Sequence, residues 1–134
     1  MRTFVLHVIT GRRPTVLNLT RDCASFVADE GDGLLSIFVP HATAGVAILE
    51  LGAGSDDDLL LALESVLPRG SDWSHRHGAR GHGRDHVLPA FIAPSIVVPV
   101  VAGILTLGAW QSIALVDTNT DNPEREVRLS FIVG

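Results

Sequence analysis

A short polar segment in the second half of the chain concentrates histidine. His75, His77, His82 and His86 lie within twelve residues, in the run HRHGARGHGRDH. Imidazole is the commonest side-chain ligand for transition metals, and it titrates close to neutral pH. The intervening glycines would allow the backbone to fold around an ion. A solvated loop whose histidines face water fits the composition equally well, because a histidine-rich tract is a compositional signal only.

Two further polar residues stand at the ends of predicted strands. His41 follows an apolar strand and Pro40, and Glu50 lies at the end of the next strand. If these strands pair as a hairpin through residues 42–43, His41 and Glu50 lie at opposite ends of that hairpin. The local pattern therefore leaves His41 as either a functional group or a polar residue that caps a strand.

Several other chemistries are excluded or disfavoured. The ten basic residues are all arginine, whereas a Walker-type phosphate loop needs a lysine. Three aspartates at residues 56–58 would repel a phosphate from the helix start that follows residues 52–54. No Gly-x-Ser-x-Gly elbow occurs. Cys23 is the single cysteine, which excludes an intrachain disulfide and a cysteine-rich zinc site.

Length and composition indicate one domain with a real core. The 134 residues are 46% hydrophobic and 19% charged, which is too apolar for a disordered chain. The net charge of −5 is opposite to that of most proteins that bind nucleic acid through phosphates. No signal peptide and no unbroken apolar segment of membrane-spanning length is evident. We therefore expect a cytoplasmic protein with a small-molecule substrate and no nucleic-acid or membrane partner.

The alternation of apolar and polar residues, together with the turn-forming residues, predicts two helices and about eight strands. These elements must position the histidines. The helices are predicted over residues 20–28 and from Ser55, as the N-cap, to a stop at Pro68. The apolar run 34–39 predicts a strand buried on both faces. Residues 71–86 form a long loop, which inside a compact domain is more often functional than idle. Strand-like runs span residues 3–9, 15–19, 34–39, 44–49, 90–92, 96–100, 104–107, 113–116 and 126–133.

These elements do not alternate regularly along the chain. The strands bunch at both ends, which favours an antiparallel α+β domain over a doubly wound parallel sheet. The predicted fold class is therefore α+β, a single compact domain over residues 1–134 with sandwich-like antiparallel sheets and about two helices. Local pattern makes Trp110 a core residue and Arg125 a solvated surface residue.

Taken together, these segments resemble the YjbQ family, whose members are often called secondary thiamine-phosphate synthases. The resemblance runs from about Leu34 to Gly134, with the N-terminal elements in register. No single motif is specific to the family, but the order of all these motifs over a hundred residues is specific to it. The residues that carry it are His41–Ala44, Glu50, Asp56–Asp58, His77, residues 81–86, Pro94-Ser95, Pro99-Val100, Gly103, Leu107–Gln111 and residues 125–134.

The resemblance implies a homotrimer with polar sites near the subunit interfaces. It also implies that His41, His77 and His86 come together in space, where they would hold zinc or a similar divalent ion. Catalytic roles fall on His41, on His82 and on Glu50, the last as a general base. The residues expected to bind a phosphorylated substrate are Thr43, Arg84, Trp110, Gln111 and Arg125.

The sequence departs from the usual family pattern around the expected site. Leu49 and His82 each replace an asparagine, and Ala109 replaces a threonine. The polar floor of the site is therefore altered, and the substrate can differ with it. His82 either adds a metal ligand or replaces an amide hydrogen bond.

Three functions remain open at this level. The first is a weak transferase that joins a pyrimidine pyrophosphate to a thiazole phosphate, with Arg84, Arg125 or a bound ion neutralising the leaving pyrophosphate. The second is a metal-dependent hydrolase or lyase acting on a small phosphorylated or carbonyl compound. The third is a non-catalytic trimer that binds a metal or a small ligand.

Overall fold

The structure is a computed structural model that describes residues 1–134 throughout. It has eight strands, three helices and one 3-10 turn (Leu88–Ala90). The elements are β1 (Arg2–Ile9), β2 (Thr15–Asn18), α1 (Thr20–Val27), β3 (Gly33–Phe38), β4 (Ala44–Leu49), α2 (Ser55–Val66), α3 (His82–Asp85), β5 (Ser95–Val101), β6 (Ile104–Leu105), β7 (Ser112–Asp117) and β8 (Glu124–Val133). The strands form two sheets in which every pairing is antiparallel: a five-stranded sheet of order β1-β8-β3-β5-β6 and a three-stranded sheet of order β2-β7-β4.

The main core lies between the two sheets and α1. Alternate residues of the long strands point inward, so Leu35 of β3 and Leu129 of β8 are fully buried. Val46 and Leu115 enter the same cluster from the smaller sheet, and Cys23 enters it from α1. The predicted α+β class with sandwich-like antiparallel sheets is confirmed.

A second, smaller hydrophobic cluster packs α2 and the 3-10 turn that follows α3 against the three-stranded sheet. Leu63 of α2 packs with Leu67, Leu88 and Val116. The helix was expected to carry Ser55 as its N-cap, but Ser55 is already helical and Gly54 holds the cap position at φ 100°. Glycine adopts this left-handed conformation without steric cost, which explains the shift by one residue.

Several element predictions are wrong in detail. The strands before His41 and after it do not form a hairpin, because β3 pairs with β5 and β8 whereas β4 pairs with β7. Residues 90–92 are not a strand, since the chain turns through the 3-10 helix, where Pro89 lacks the N–H that a ladder needs. The long loop contains the short helix α3.

The strand β3 is buried on one face only, contrary to prediction. Leu34 and Phe38 on its outer face are 43% and 41% exposed. Val97 of β5 and Ile132 of β8 extend this apolar outer face of the five-stranded sheet. The apolar run 34–39, interrupted only by Ser36, thus reflects two largely apolar faces, of which the chain itself covers one. No helix of the structure is both long and apolar enough to cross a membrane.

Candidate metal centre

Four imidazole rings meet at one place on the molecule. His75, His77, His82 and His86 each present a ring nitrogen, and these four nitrogens lie within 4.8 Å of one another. Zinc–imidazole bonds of ~2.0–2.1 Å would place the ligand nitrogens of a tetrahedral site roughly 3.4 Å apart. Small ring rotations would therefore bring all four nitrogens onto one ion. We call these residues the histidine cluster.

Helix geometry brings two members of the cluster together. His82 begins α3 and His86 follows its last residue, and the i, i+4 spacing places both on one face. Their Nε2 atoms are 2.8 Å apart. The ring of His75, from the preceding loop, lies over this pair: its centroid is 5.6 Å from that of His82, in a stacked arrangement, and 4.0 Å from that of His86, in a tilted one. His77 lies beside His75, also at 4.0 Å between centroids.

Two glycines allow the loop to fold this closely over α3. A Cβ on Gly83 would lie 2.5 Å from the Cβ of Trp73, where only glycine leaves room. Gly78 has a φ of 80°, and a Cβ there would lie 2.7 Å from Asp121 Oδ2 and 2.8 Å from His82 Nδ1. The glycines of the loop thus serve close approach as well as turning.

Asp121 orients the most buried ring of the cluster. Its Oδ2 lies 2.7 Å from Nδ1 of His82 and also accepts the Ala79 N–H at 3.0 Å. An ionised carboxylate only accepts, so Nδ1 of His82 carries the proton and donates. The Ala79 N–H is the largest cause of the lowered pKa of Asp121, which keeps it ionised. Nε2 of His82 therefore carries a lone pair, which accepts a hydrogen bond from Nε2–H of His86 at 2.8 Å and would bind an ion in its place, as in other carboxylate-supported metal ligands.

A buried polar layer lies beneath α3. Asp85 is 1% exposed and accepts hydrogen bonds from Thr118 Oγ1 at 2.7 Å and from Asn119 Nδ2 at 3.1 Å. The Asn119 Oδ1 accepts the backbone N–H groups of Asp121 and Asn122. These bonds fix the segment after β7 against α3, and so fix Asp121 against His82.

The protonation state of the cluster suits metal binding. Desolvation, followed by repulsion from the neighbouring imidazoles, lowers the pKa of His75 and of His86. Both rings are therefore more readily neutral near pH 7 than a free histidine, and the neutral ring is the form that binds metal.

His41 lies beside the cluster but is not one of the four ligands. It lines a pocket of about 340 Å³ together with His77, His82 and His86. Its Nε2 accepts the backbone N–H of Glu126 at 2.9 Å. Burial, and then the nearby Arg125, lower the pKa of His41. The three histidines that the resemblance groups together thus share a pocket, while the four-imidazole group contains His75 and His82 in place of His41.

Arg125 also lines this pocket, but as a buried residue. It is 4% exposed, so its expected place on the solvated surface is wrong. It donates to both carboxylate oxygens of Asp117, at 2.7 and 3.1 Å, and Nη2 donates to Thr43 Oγ1 at 2.8 Å. Asp117 thereby neutralises Arg125 and holds it and Thr43 at the pocket wall.

Arg84 faces away from the cluster. Its side chain is 4% exposed, pairs with Glu64 of α2, and donates to the Leu67 carbonyl at 3.1 Å. The arginine of α3 therefore fastens this helix to α2. Nη1 makes both of these contacts, whereas the buried Nε lies 3.4 Å from Asp85 Oδ1 without a hydrogen-bond partner. Arg84 does not line the pocket, so its expected role in substrate binding has no support from the geometry.

Three other predicted site residues lie outside the pocket. Glu50 follows β4 and is exposed, and it does not line the pocket of the histidine cluster. Trp110 is 77% exposed, so its expected place in the core is wrong. Gln111 accepts the Gly108 N–H at 2.8 Å and closes a turn.

The sequence pattern did not indicate Asp121 as the partner of His82, nor Asn119 and Asp85 as members of the polar layer beneath α3. The available signal was the polar run 117–122, which directly follows a buried strand. Dense Asp, Asn and Thr at a strand end can indicate a functional turn.

The fold and the pocket define a small antiparallel α+β protein with a histidine-lined cavity at the sheet ends. The family described as UPF0047 protein YjbQ-like matches residues 5–134, and the chain belongs to this YjbQ/UPF0047 family. The resemblance seen in the sequence is thus confirmed.

Similar proteins occur in distant organisms. UPF0047 protein Rv2556c of Mycobacterium tuberculosis is 57% identical over the whole of both chains. YugU of Bacillus subtilis is 33% identical over 81% of this chain and 83% of its own. The crystal structure of hypothetical protein APE1520 from Aeropyrum pernix has a TM-score of 0.89 and 33% identity, with full coverage of both chains. A Sulfolobus solfataricus structure, described as YbjQ-like and of unknown function, shares the fold at a TM-score of 0.92, covering 99% of this chain and 97% of its own at 24% identity.

Proposed function

We propose that the histidine cluster binds zinc or a similar divalent ion, and that the protein is a metal-dependent hydrolase or lyase of a small anionic compound. The observation that carries this proposal is the meeting of four imidazole nitrogens within 4.8 Å. Histidines of a merely solvated loop have no reason to converge, because like rings compete for protons and repel when charged. A carboxylate that orients one of the rings adds to the case.

The polar lining of the adjacent pocket supports an anionic ligand. The residues that line it offer imidazole, hydroxyl, amide and guanidinium groups, and none of them is Asp or Glu. This is notable in a chain whose net charge is −5. A ligand with phosphate or carboxylate oxygens would find donors on this wall and no carboxylate repulsion from it.

The chemistry divides between the ion and the chain. A bound divalent ion would polarise a substrate oxygen or activate water. The chain's own groups do the rest: Asp121 keeps His82 in the ligating tautomer, and Asp117 holds Arg125 and Thr43 at the wall. Catalysis needs a coordination position beyond those that the protein fills, and zinc accepts a fifth ligand in some sites.

The transferase implied by the family resemblance is the second candidate. Joining a pyrimidine pyrophosphate to a thiazole phosphate requires cationic groups for two phosphorylated substrates. Arg84 is bound to Glu64 and Arg125 to Asp117, so neither guanidinium carries an unneutralised charge. The geometry therefore favours one small anionic substrate over two.

Metal content is the first test. Elemental mass spectrometry of the purified full chain, after incubation with zinc and removal of excess, should find roughly one equivalent per chain. His82→Ala and His86→Ala should lose it, and the exposed His7→Ala on β1 should keep it. A wild-type chain that takes up no zinc, cobalt or nickel would refute the proposal. Metal uptake without turnover of any phosphorylated or carbonyl compound would instead support the non-catalytic binding function.

We also propose that the chain self-associates, since the resemblance implies a homotrimer. The apolar outer face of the five-stranded sheet, with Phe38, Val97 and Ile132 at 41–56% exposure, supports association through that face. Light scattering coupled to size exclusion should report three chains per particle. A monomer at micromolar concentration would contradict this.

A further inference from the structure

We propose that His41 binds an oxygen of the pocket ligand through Nδ1–H, as a hydrogen-bond donor and not as a metal ligand. The inference builds on the proposed function, because it requires an oxyanion held beside the histidine cluster. It differs from the family resemblance, which groups His41 with His77 and His86 as ligands.

The path of the backbone around His41 leaves the Glu126 N–H of β8 without a main-chain acceptor from β3. Strand β3 pairs with β8 as far as Phe38, which lies opposite Arg128. Beyond that point Pro40 has no N–H, and the His41 N–H turns back onto the Val39 carbonyl at 2.9 Å. The main chain of β3 therefore no longer pairs with β8 at Glu126. The side chain of His41 takes its place, and Nε2 accepts the Glu126 N–H at 2.9 Å.

This bond determines which nitrogen of His41 carries the proton. A ring nitrogen that accepts an N–H has no proton of its own, and a neutral imidazole carries one proton in total. Nδ1 is therefore protonated and can only donate. A protonated nitrogen has no lone pair for an ion, so His41 cannot ligate a metal while the Glu126 bond is intact.

His82 shows the opposite arrangement within the same pocket. Its Nδ1 donates to Asp121, which leaves Nε2 with a lone pair among the ligating nitrogens. His41 uses its Nε2 lone pair on the backbone and keeps a free N–H at Nδ1, and its side chain lines the same pocket as His82. The two histidines are thus set as one ligand and one donor.

Thr43 supplies a second donor two residues further along. Its Oγ1 accepts from Nη2 of Arg125 at 2.8 Å, so its hydroxyl proton remains available. Thr43 and His41 both line the pocket. Two donors next to a metal ligand set suit an oxyanion such as phosphate or carboxylate, which would bridge the ion and the donors.

The tautomer can be measured directly. Long-range ¹H–¹⁵N correlation spectra of the full chain, with and without zinc, should show His41 protonated on Nδ1 in both states. An unprotonated Nδ1 in the zinc-loaded chain would overturn the inference. This measurement needs no variant and does not depend on whether metal binds, so it separates the assignment of His41 from the proposed function.

Binding of inorganic phosphate to the zinc-loaded chain tests the donor role. His41→Leu should weaken phosphate binding about tenfold, the loss expected for one hydrogen bond to a charged group, and change zinc affinity less than about threefold. His41→Gln, which can both accept from Glu126 and donate, should recover most of the phosphate affinity. His7→Leu on the exposed face of β1 is the matched control.

Each contrary result has a distinct meaning. Zinc loss in His41→Leu as large as that in His82→Leu would make His41 a ligand and overturn the inference. Unchanged phosphate affinity in His41→Leu, or no phosphate binding to the zinc-loaded wild type, would also overturn it. A wild-type chain that binds no metal would instead refute the proposed function.

Discussion

Asp121 and His82 form a hydrogen bond of 2.7 Å across 39 residues of sequence, and this bond decides how the most buried imidazole of the cluster is oriented. The carboxylate comes from the segment after β7, whereas the histidine begins α3. A histidine-rich loop alone would leave its rings free to rotate. The bond converts one of them into a ligand with a defined tautomer.

Removing this carboxylate should weaken metal binding. We expect Asp121→Ala to lower zinc affinity about 10- to 100-fold, because a supporting carboxylate orients its histidine and raises its basicity. Asp121→Asn keeps an acceptor and should lose less. Competition with a chromophoric chelator measures both. The control is Asp72→Ala, whose carboxylate is exposed and contacts Arg76. Equal affinities for Asp121→Ala and the wild type would show that the bond does not support a ligand.

Gly78 should be required at its position for two separable reasons. Its φ of 80° disfavours any other residue, and a Cβ would also meet His82 and Asp121. Gly11 has a similar φ of 76° with nothing near its Cβ position. Gly11→Ala should therefore cost about 1–2 kcal/mol from the left-handed backbone alone. Gly78→Ala should cost more in urea denaturation and should also weaken zinc binding. Equal costs for the two variants, with unchanged zinc affinity, would contradict the close contact.

The buried ion pair of Arg125 and Asp117 should stabilise the fold only while both partners are present. Both side chains are almost fully buried, and Arg125→Met would leave the Asp117 carboxylate without its partner. We expect a loss of about 3–5 kcal/mol in the free energy of unfolding by urea. Arg12→Met, in the exposed turn after β1, should change it by less than about 0.5 kcal/mol. A similar small effect of Arg125→Met would argue against an intact buried pair.

The metal-free chain should lose stability as the pH falls below neutrality. Burial and neighbouring charges lower the pKa values of His41, His75 and His86 from the ordinary value of 6.5. Such a histidine binds fewer protons in the folded than in the unfolded chain. The free energy of unfolding is therefore greatest above pH 6.5 and decreases as the pH falls through the range between the unfolded and folded pKa values.

Thermal denaturation between pH 8 and pH 5.5 in the presence of a chelator measures this effect. A double replacement of His75 and His86 by glutamine should flatten the dependence of the melting temperature on pH. The control is Arg80→Gln in the same loop, whose side chain is exposed. A melting temperature that rises on acidification over this range would give the opposite sign and contradict the assigned shifts.

Local patterns in the sequence were sufficient for the architecture. The alternation in residues 3–9 and the helical start at Thr20 predicted β1 and α1 closely, because periodicity of two and the spacing of apolar residues are properties of a short window. Local patterns gave wrong predictions of burial and strand pairing, because long-range packing determines both. The apolar run 34–39 did not reveal that one face of β3 stays uncovered by the chain, and it did not reveal that β3 and β4 belong to different sheets.

The sequence by itself determined that the chain is an α+β member of the YjbQ family and that histidines concentrate in residues 75–86, since both follow from residue order. Only the tertiary structure decided what each side chain does. It brings Asp121 to His82, buries Arg125 against Asp117, and turns His41 toward the Glu126 backbone. Such assignments depend on the distance between residues remote in sequence, and on which backbone groups the sheets leave unpaired, neither of which a local pattern records.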